Sequence, residues 1–237
     1  MCHRGRSTRI GGESAVLTLH AVSKTFATPI GALAPLRSVS LDIADGTRIA
    51  VTGPSGSGKT TLALIAAGLL VPDSGVVRLD THNLSSLDTD ARARLRRRDI
   101  GVVTCDPLLC ASLTVLGNVC LPLSGPVADL EARDQGRALL AALSLDHLQD
   151  AWPGQLSPLD QRLVALARAS VRVPRLIVAD TAGRGLVPSE RQTFTDVLLR
   201  LQQRSDAALL MTCDDPAEAY ACERVLSLSD GLLSEAL

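Results

Sequence analysis

Eight consecutive residues carry the clearest chemistry in the sequence. Gly53-Pro54-Ser55-Gly56-Ser57-Gly58-Lys59-Thr60 matches the phosphate-loop spacing, Gly-x4-Gly-Lys-Thr. Glycines at these places let successive backbone N–H groups converge on phosphate oxygens. A helix predicted over residues 61–70, opening at Thr61, aims the positive end of its dipole at the same charge. Lys59 reaches the outer phosphates as a point charge, and the Thr60 hydroxyl suits Mg²⁺. The chain has only two lysines, Lys24 and Lys59, so a lysine at this spot strengthens the reading. A second acidic partner is expected at the end of a buried strand, and Asp180 closes the apolar run Leu176–Asp180. It would hold the magnesium through water.

The elements that must position these residues follow from periodicity. Short alternating segments at Val16–His20, Leu36–Ile43 and Gly75–Leu79 predict a small antiparallel sheet. Arg48–Thr52 reads as a buried strand feeding the glycine-rich loop. Further strands are predicted at Ile100–Val103, Leu176–Asp180, Ala208–Thr212 and from Val225 into a final hairpin. Helices are predicted at Ala91–Arg98, Asp129–Leu145, Leu163–Ala169 and Glu190–Gln203. Strands alternating with helices imply an α/β fold with a mostly parallel sheet. Residues 1–15 read as a flexible tail, and about 100–160 as an inserted helical lobe.

Composition excludes several function classes. The 237 residues are 46% hydrophobic and 21% charged, with net charge −1, which gives no global reason to bind nucleic acid. Aromatics make up 2%, too few for a base-stacking surface. The basic, polar start is not read as a signal peptide. The longest apolar run, Leu62–Val71, is too short for a bilayer span of about 20 residues. A cytoplasmic chain with reduced thiols is therefore expected. No Cys-x-x-Cys pair occurs and the four histidines are scattered, so no zinc site is indicated.

The sequence resembles the ATP-binding subunits of ABC transporters, in the branch that serves lipoprotein release, macrolide export and cell division. Beyond the phosphate loop, the resemblance rests on Leu36-Arg-Ser-Val-Ser-Leu-Asp-Ile43 and Gly68-Leu-Leu-Val-Pro-Asp-Ser-Gly75. Arg96-Arg-Arg-Asp-Ile-Gly101, Leu113–Pro122, Pro153-Gly-Gln-Leu-Ser157 and Val164–Ala169 complete the ordered set. It covers roughly residues 16–235. The resemblance implies a P-loop NTPase core, an antiparallel β lobe and an inserted helical lobe within one domain, 16–237. It implies ATP and Mg²⁺ as ligands and Phe26 as the ring that stacks on adenine. It also implies a separate transmembrane permease, a homo- or heterodimer of ATP-binding subunits, and a place on the inner face of the cell membrane. Ser157 would face the nucleotide of the partner protomer.

The departures from the family pattern matter more. Where the family has a glutamine that touches Mg²⁺ and the attacking water, this chain has Cys105. Where it has a glutamate base after the strand-end aspartate, this chain has Thr181. The switch histidine is Cys213, and the aspartate that couples the two sites is Val187. The two signature glycines after Ser157 are Pro158 and Leu159. A hydroxyl cannot take a proton near neutral pH as a carboxylate does. No confident catalytic residue remains, and the pattern points to Mg-ATP binding with weak or absent hydrolysis. Two other readings stay open: an ATP-sensing regulator of a membrane partner that transports nothing, and an active ATPase with unusual residues. Cys105 and Cys213 both fall at family positions beside the γ-phosphate, which leaves open a redox-gated disulfide, a soft-metal site, or simply two small replacements in a decayed site.

Overall fold

The computed structural model describes residues 15–29, 31–123, 129–220 and 222–236. The expected tail thus lies outside the described residues apart from Ala15, the first residue of a strand.

Two sheets organise the chain. The smaller is antiparallel, in the order β2-β1-β4-β5, with β1 at Ala15–Thr28, β2 at Gly31–Ala44, β4 at Ser74–Leu79 and β5 at His82–Asn83. Its register sets Leu17 opposite Ile43 and Leu79, and Leu19 opposite Leu41 and Val77. All six are buried, as period-2 alternation requires for one covered face. β1 is longer than Val16–His20 because register shifts lie between Leu19 and Phe26, with Ala21 at φ 49°. Each irregularity resets the alternation, and that hid the second half of the strand.

The larger sheet has the order β10-β9-β3-β8-β7-β6. Its strands are β3 (Arg48–Thr52), β6 (Ile100–Thr104), β7 (Leu176–Asp180), β8 (Ala208–Thr212), β9 (Arg224–Ser229) and β10 (Leu232–Glu235). All run parallel except β10, which pairs antiparallel with β9. Strands β7 and β8 are buried throughout, hence their unbroken apolar runs. Alternate residues of β7 feed two separate cores. Ile177 and Ala179 join the cluster holding Phe194, Leu198 and Leu163. Leu176 and Val178 join the one holding Leu62, Ile65 and Leu17.

The helices are α1 (Lys59–Ala66), α2 (Thr89–Asp99), α3 (Val115–Cys120), α4 (Asp129–Ala142), α5 (Pro158–Ser170) and α6 (Pro188–Ser205). α1 stops short of Leu70 because Gly68 takes φ 65°, and Gly68 and Leu69 turn their N–H groups back onto Ile65 and Leu64 carbonyls. The helices α3–α5 lie between β6 and β7. Residues 100–104 are a strand of the large sheet, so the helical segment begins at Val115. Asn118, fully buried, ties down the loop before it: its side chain accepts from Cys110 N and donates to the carbonyls of Cys110, Leu113 and Thr114.

The parallel register brings three strand ends level. Thr104 pairs with Asp180, and Asp180 with Thr212. In open α/β sheets this carboxyl edge is where ligands bind.

Candidate functional site

A cavity of about 200 Å³ opens at that edge. The loop from β3 to α1 forms one wall, with Ser55, Gly56, Gly58, Lys59, Thr60 and Thr61. Phe26 of β1 borders it, and Thr181, Arg184 and Asp214 close the far side. Gly53, Pro54, Ser57 and Asp180 stand behind the lining.

The loop's backbone depends on glycine. Gly58 precedes α1 with φ +110°, and a Cβ there would come within 2.3 Å of the Pro35 carbonyl oxygen. No other residue type fits both constraints. Gly56, at φ +82°, would meet nothing within 4 Å, so the chain there borders open space. Ser57 turns its hydroxyl inward, where Oγ is buried and has no partner.

Lys59 is 5% exposed. Its Nζ donates to the carbonyls of Gly53 (2.6 Å) and Pro54 (2.9 Å) and lies 3.3 Å from Asp214 Oδ1. A buried ammonium requires such partners. The other oxygen of Asp214 accepts from Arg184, at 2.9 Å from Nε and 2.7 Å from Nη2. Burial pushes the Asp214 carboxyl up, but the bonds and charges of Arg184 and Lys59 outweigh it and hold the group below its ordinary range.

Thr60 and Asp180 come together as the sequence predicts. Thr60 Oγ1 donates to Asp180 Oδ1 at 3.3 Å, and Thr212 Oγ1 donates to the same oxygen at 2.6 Å. A hydroxyl and a carboxylate side by side are the hard oxygen donors Mg²⁺ takes. A buried lysine, an open glycine loop and this oxygen pair form a donor set suited to a magnesium–polyphosphate.

Thr181 is buried in the left-handed region at φ 43°, which is unusual for a β-branched residue. Its N–H donates to the Thr212 carbonyl and hydroxyl, each at 3.0 Å. The turn it starts brings Arg184 onto the cavity wall, with Arg184 N donating to Thr181 O. Arg162 of α5 ties the turn down by donating to the carbonyls of Ala182 and Arg184.

Cys213 is fully buried and lines no part of this cavity. Burial, first of all, raises its thiol to about 12. Cys105 follows β6 and is half-buried. Neither thiol is in a disulfide, and among the described residues no group of three His, Cys, Asp or Glu is placed to hold a metal.

Ser157 lies away from the cavity, at the N-cap of α5. Its hydroxyl donates to Asp160 Oδ2 (2.6 Å) and accepts from Asp160 N (3.1 Å). The hydroxyl proton expected to serve a partner's phosphate is spent within its own chain, and Pro158 at the first helical position has no N–H. Asp160 also places a carboxylate on the helix end that would have faced that phosphate. Phe26 is 37% exposed at the cavity rim, with Lys24 Nζ 5.5 Å from its ring centroid. Lys24 is itself held by Asp73 at 2.7 Å. Sequence reasoning missed Arg184 and Asp214. The one signal for them was position, four residues after Asp180 and directly after Cys213.

Residues 36–183 match the family described as ABC transporter. The chain belongs to that family. It is similar to the lipoprotein-releasing system ATP-binding protein LolD of Pseudomonas fluorescens, 35% identical over 93% of this chain and 98% of that protein. It is also similar to the macrolide export ATP-binding/permease protein MacB of Syntrophobacter fumaroxidans, 34% identical over 92% of this chain but 31% of that protein. Among solved structures, the ABC cassette MJ0796, a post-hydrolysis dimer bound to ADP and Pi, superposes with TM-score 0.84 at 30% identity, over 92% of this chain and 98% of the other. The P-loop NTPase fold of ABC cassettes expected from the sequence is thus shown. No helix among the described residues is long and apolar enough to cross a membrane.

Proposed function

We propose that this chain is the ATP-binding subunit of an ABC transporter that binds Mg-ATP, acts on a separate membrane permease and hydrolyses ATP weakly or not at all. One observation carries the reading. The cavity holds the phosphate-binding parts, yet its single lining carboxylate among the described residues is Asp214, tied to both Lys59 and Arg184. A carboxylate held below its ordinary pKa by two cations is a poor base for water.

When magnesium is bound, Thr60 and Asp180 would hold it, and it would neutralise phosphate charge. The loop amides and Lys59 would bind the β- and γ-phosphates, with Phe26 offering a ring face to the base. Thr181 brings a hydroxyl where a carboxylate is needed. The relatives named as ATP-binding proteins, and the dimeric cassette among the solved structures, support a cassette dimer acting on a permease from the inner face of the membrane. Binding rather than cleavage would then set the dimer's state, through differential affinity for its closed form.

The test is affinity purification of the tagged chain from its host membranes, with and without Mg-ATP, followed by mass spectrometry. A membrane-spanning permease recovered with the chain is the expected result. Recovery of a membrane partner that has no transport path would replace this reading with a regulatory one.

A further inference from the structure

We propose that Arg184 binds the terminal phosphate of the nucleotide, and that Asp214 holds its place until a triphosphate arrives. The proposal rests on the Mg-ATP reading above and deepens it. Arg184 lines the same cavity as Lys59, Thr60 and Gly56. One carboxylate serves both cations: Asp214 lies 3.3 Å from Lys59 Nζ and 2.7 Å from Arg184 Nη2. Lys59 is buried and needs an anion, whereas Arg184 remains about half exposed. Exposed ion pairs contribute little, so the Arg184–Asp214 bond is cheap to exchange. A terminal phosphate offers more charge and a bidentate face that suits a guanidinium.

Backbone geometry aims Arg184 at that place. The left-handed turn at Thr181 and the two bonds from Arg162 fix residues 182–184 against α5. Arg184 is charged under all relevant conditions. Its hydrogen bond to Asp214 raises its pKa first of all, and it shares the cavity lining with Thr60 and Thr181. Asp214 also borders a second cavity of about 220 Å³, which it shares with Arg191 and with Asp215 and Glu218, the carboxylates that already hold Arg191.

The test is calorimetric titration of the full chain with ATP and with ADP, both with Mg²⁺. Wild type, Arg184→Ala, Arg184→Lys, Asp214→Asn and Lys59→Ala are compared, with thermal unfolding run on each. Arg184→Ala is expected to weaken ATP by about tenfold or more, the loss of one charge-assisted contact, and to leave ADP unchanged. Arg184→Lys restores part of the loss, and Asp214→Asn strengthens ATP binding. Equal effects of Arg184→Ala on both nucleotides, or no effect on either, would overturn the proposal while leaving Mg-ATP binding intact. If Lys59→Ala changes neither affinity, or wild type binds neither nucleotide, the phosphate-loop reading itself fails and takes this proposal with it.

Discussion

The two walls of the cavity differ in what does the chemistry. On the loop wall, Gly53 to Thr61, the backbone carries the function. There the glycine conformations, the Lys59 anchor on Gly53 and Pro54, and the Thr60–Asp180 pair are all in place. On the strand-end wall, side chains would carry it, and there Thr181, Arg184 and Asp214 line the cavity. Yet the scaffold beneath that wall is intact: β7 and β8 keep register, and Thr212 still bonds Asp180. Binding geometry and water activation are thus separable within one cavity. On the proposed reading, replacing a few side chains would remove the second and leave the first standing.

Restoring a base should break this asymmetry most. Thr181→Glu is expected to raise phosphate release by up to about 10²-fold, the lower range of general-base catalysis. The gain stays limited because Cys105 and Cys213 remain and such effects are not additive. A stopped phosphate-release assay on wild type and variant checks it, and no gain at all would mean that more than the base is missing.

Lys59→Ala comes next. Losing a buried ammonium that faces phosphates should weaken ATP binding by about 10–100-fold. Equilibrium titration checks this, and an unchanged affinity would take the loop wall out of the account.

Gly58→Ala tests the backbone itself. The left-handed φ and the close approach to Pro35 O predict a cost of about 1–3 kcal/mol. In a chain this long that lowers the Tm by several degrees, at about 2–4 °C per kcal/mol. The matching change at Gly56, which borders open space, should cost less; equal losses at the two positions would contradict the packing argument.

The thiols give the smallest effect. Cys213 is raised to about 12 and Cys222 to about 11, in both cases mainly by burial. A raised acid keeps its proton when folded and loses it when unfolded. The two thiols therefore support the fold up to about pH 9, and that support is lost as pH rises toward 11–12. Cys110 is shifted the other way, first by its hydrogen bond with Ser112. Iodoacetamide at pH 8 should label Cys110 well before Cys213, as read by peptide mass spectrometry. Early labelling of Cys213 would show that this wall opens to solvent.

Much of this was legible in the sequence because the signals are local. The Gly-x4-Gly-Lys-Thr spacing and the apolar runs of β7 and β8 depend on neighbouring residues only. What escaped depends on contacts across the chain. Asp214 and Arg184 are ordinary surface charges until β7 and β8 set their ends side by side, 30 residues apart. The resemblance gave Ser157 a partner's phosphate, but Asp160 one turn on captures its hydroxyl. β1 ran longer than its alternation because register shifts are invisible to a period-2 count.

In the proposed reading the chain holds Mg-ATP without cutting it. The most direct test is to measure ATP binding and phosphate release on one purified preparation, for wild type and Lys59→Ala. Saturable, Lys59-dependent ATP binding with phosphate release at the level of the variant is the expected result. Sustained phosphate release that depends on Lys59 would contradict it.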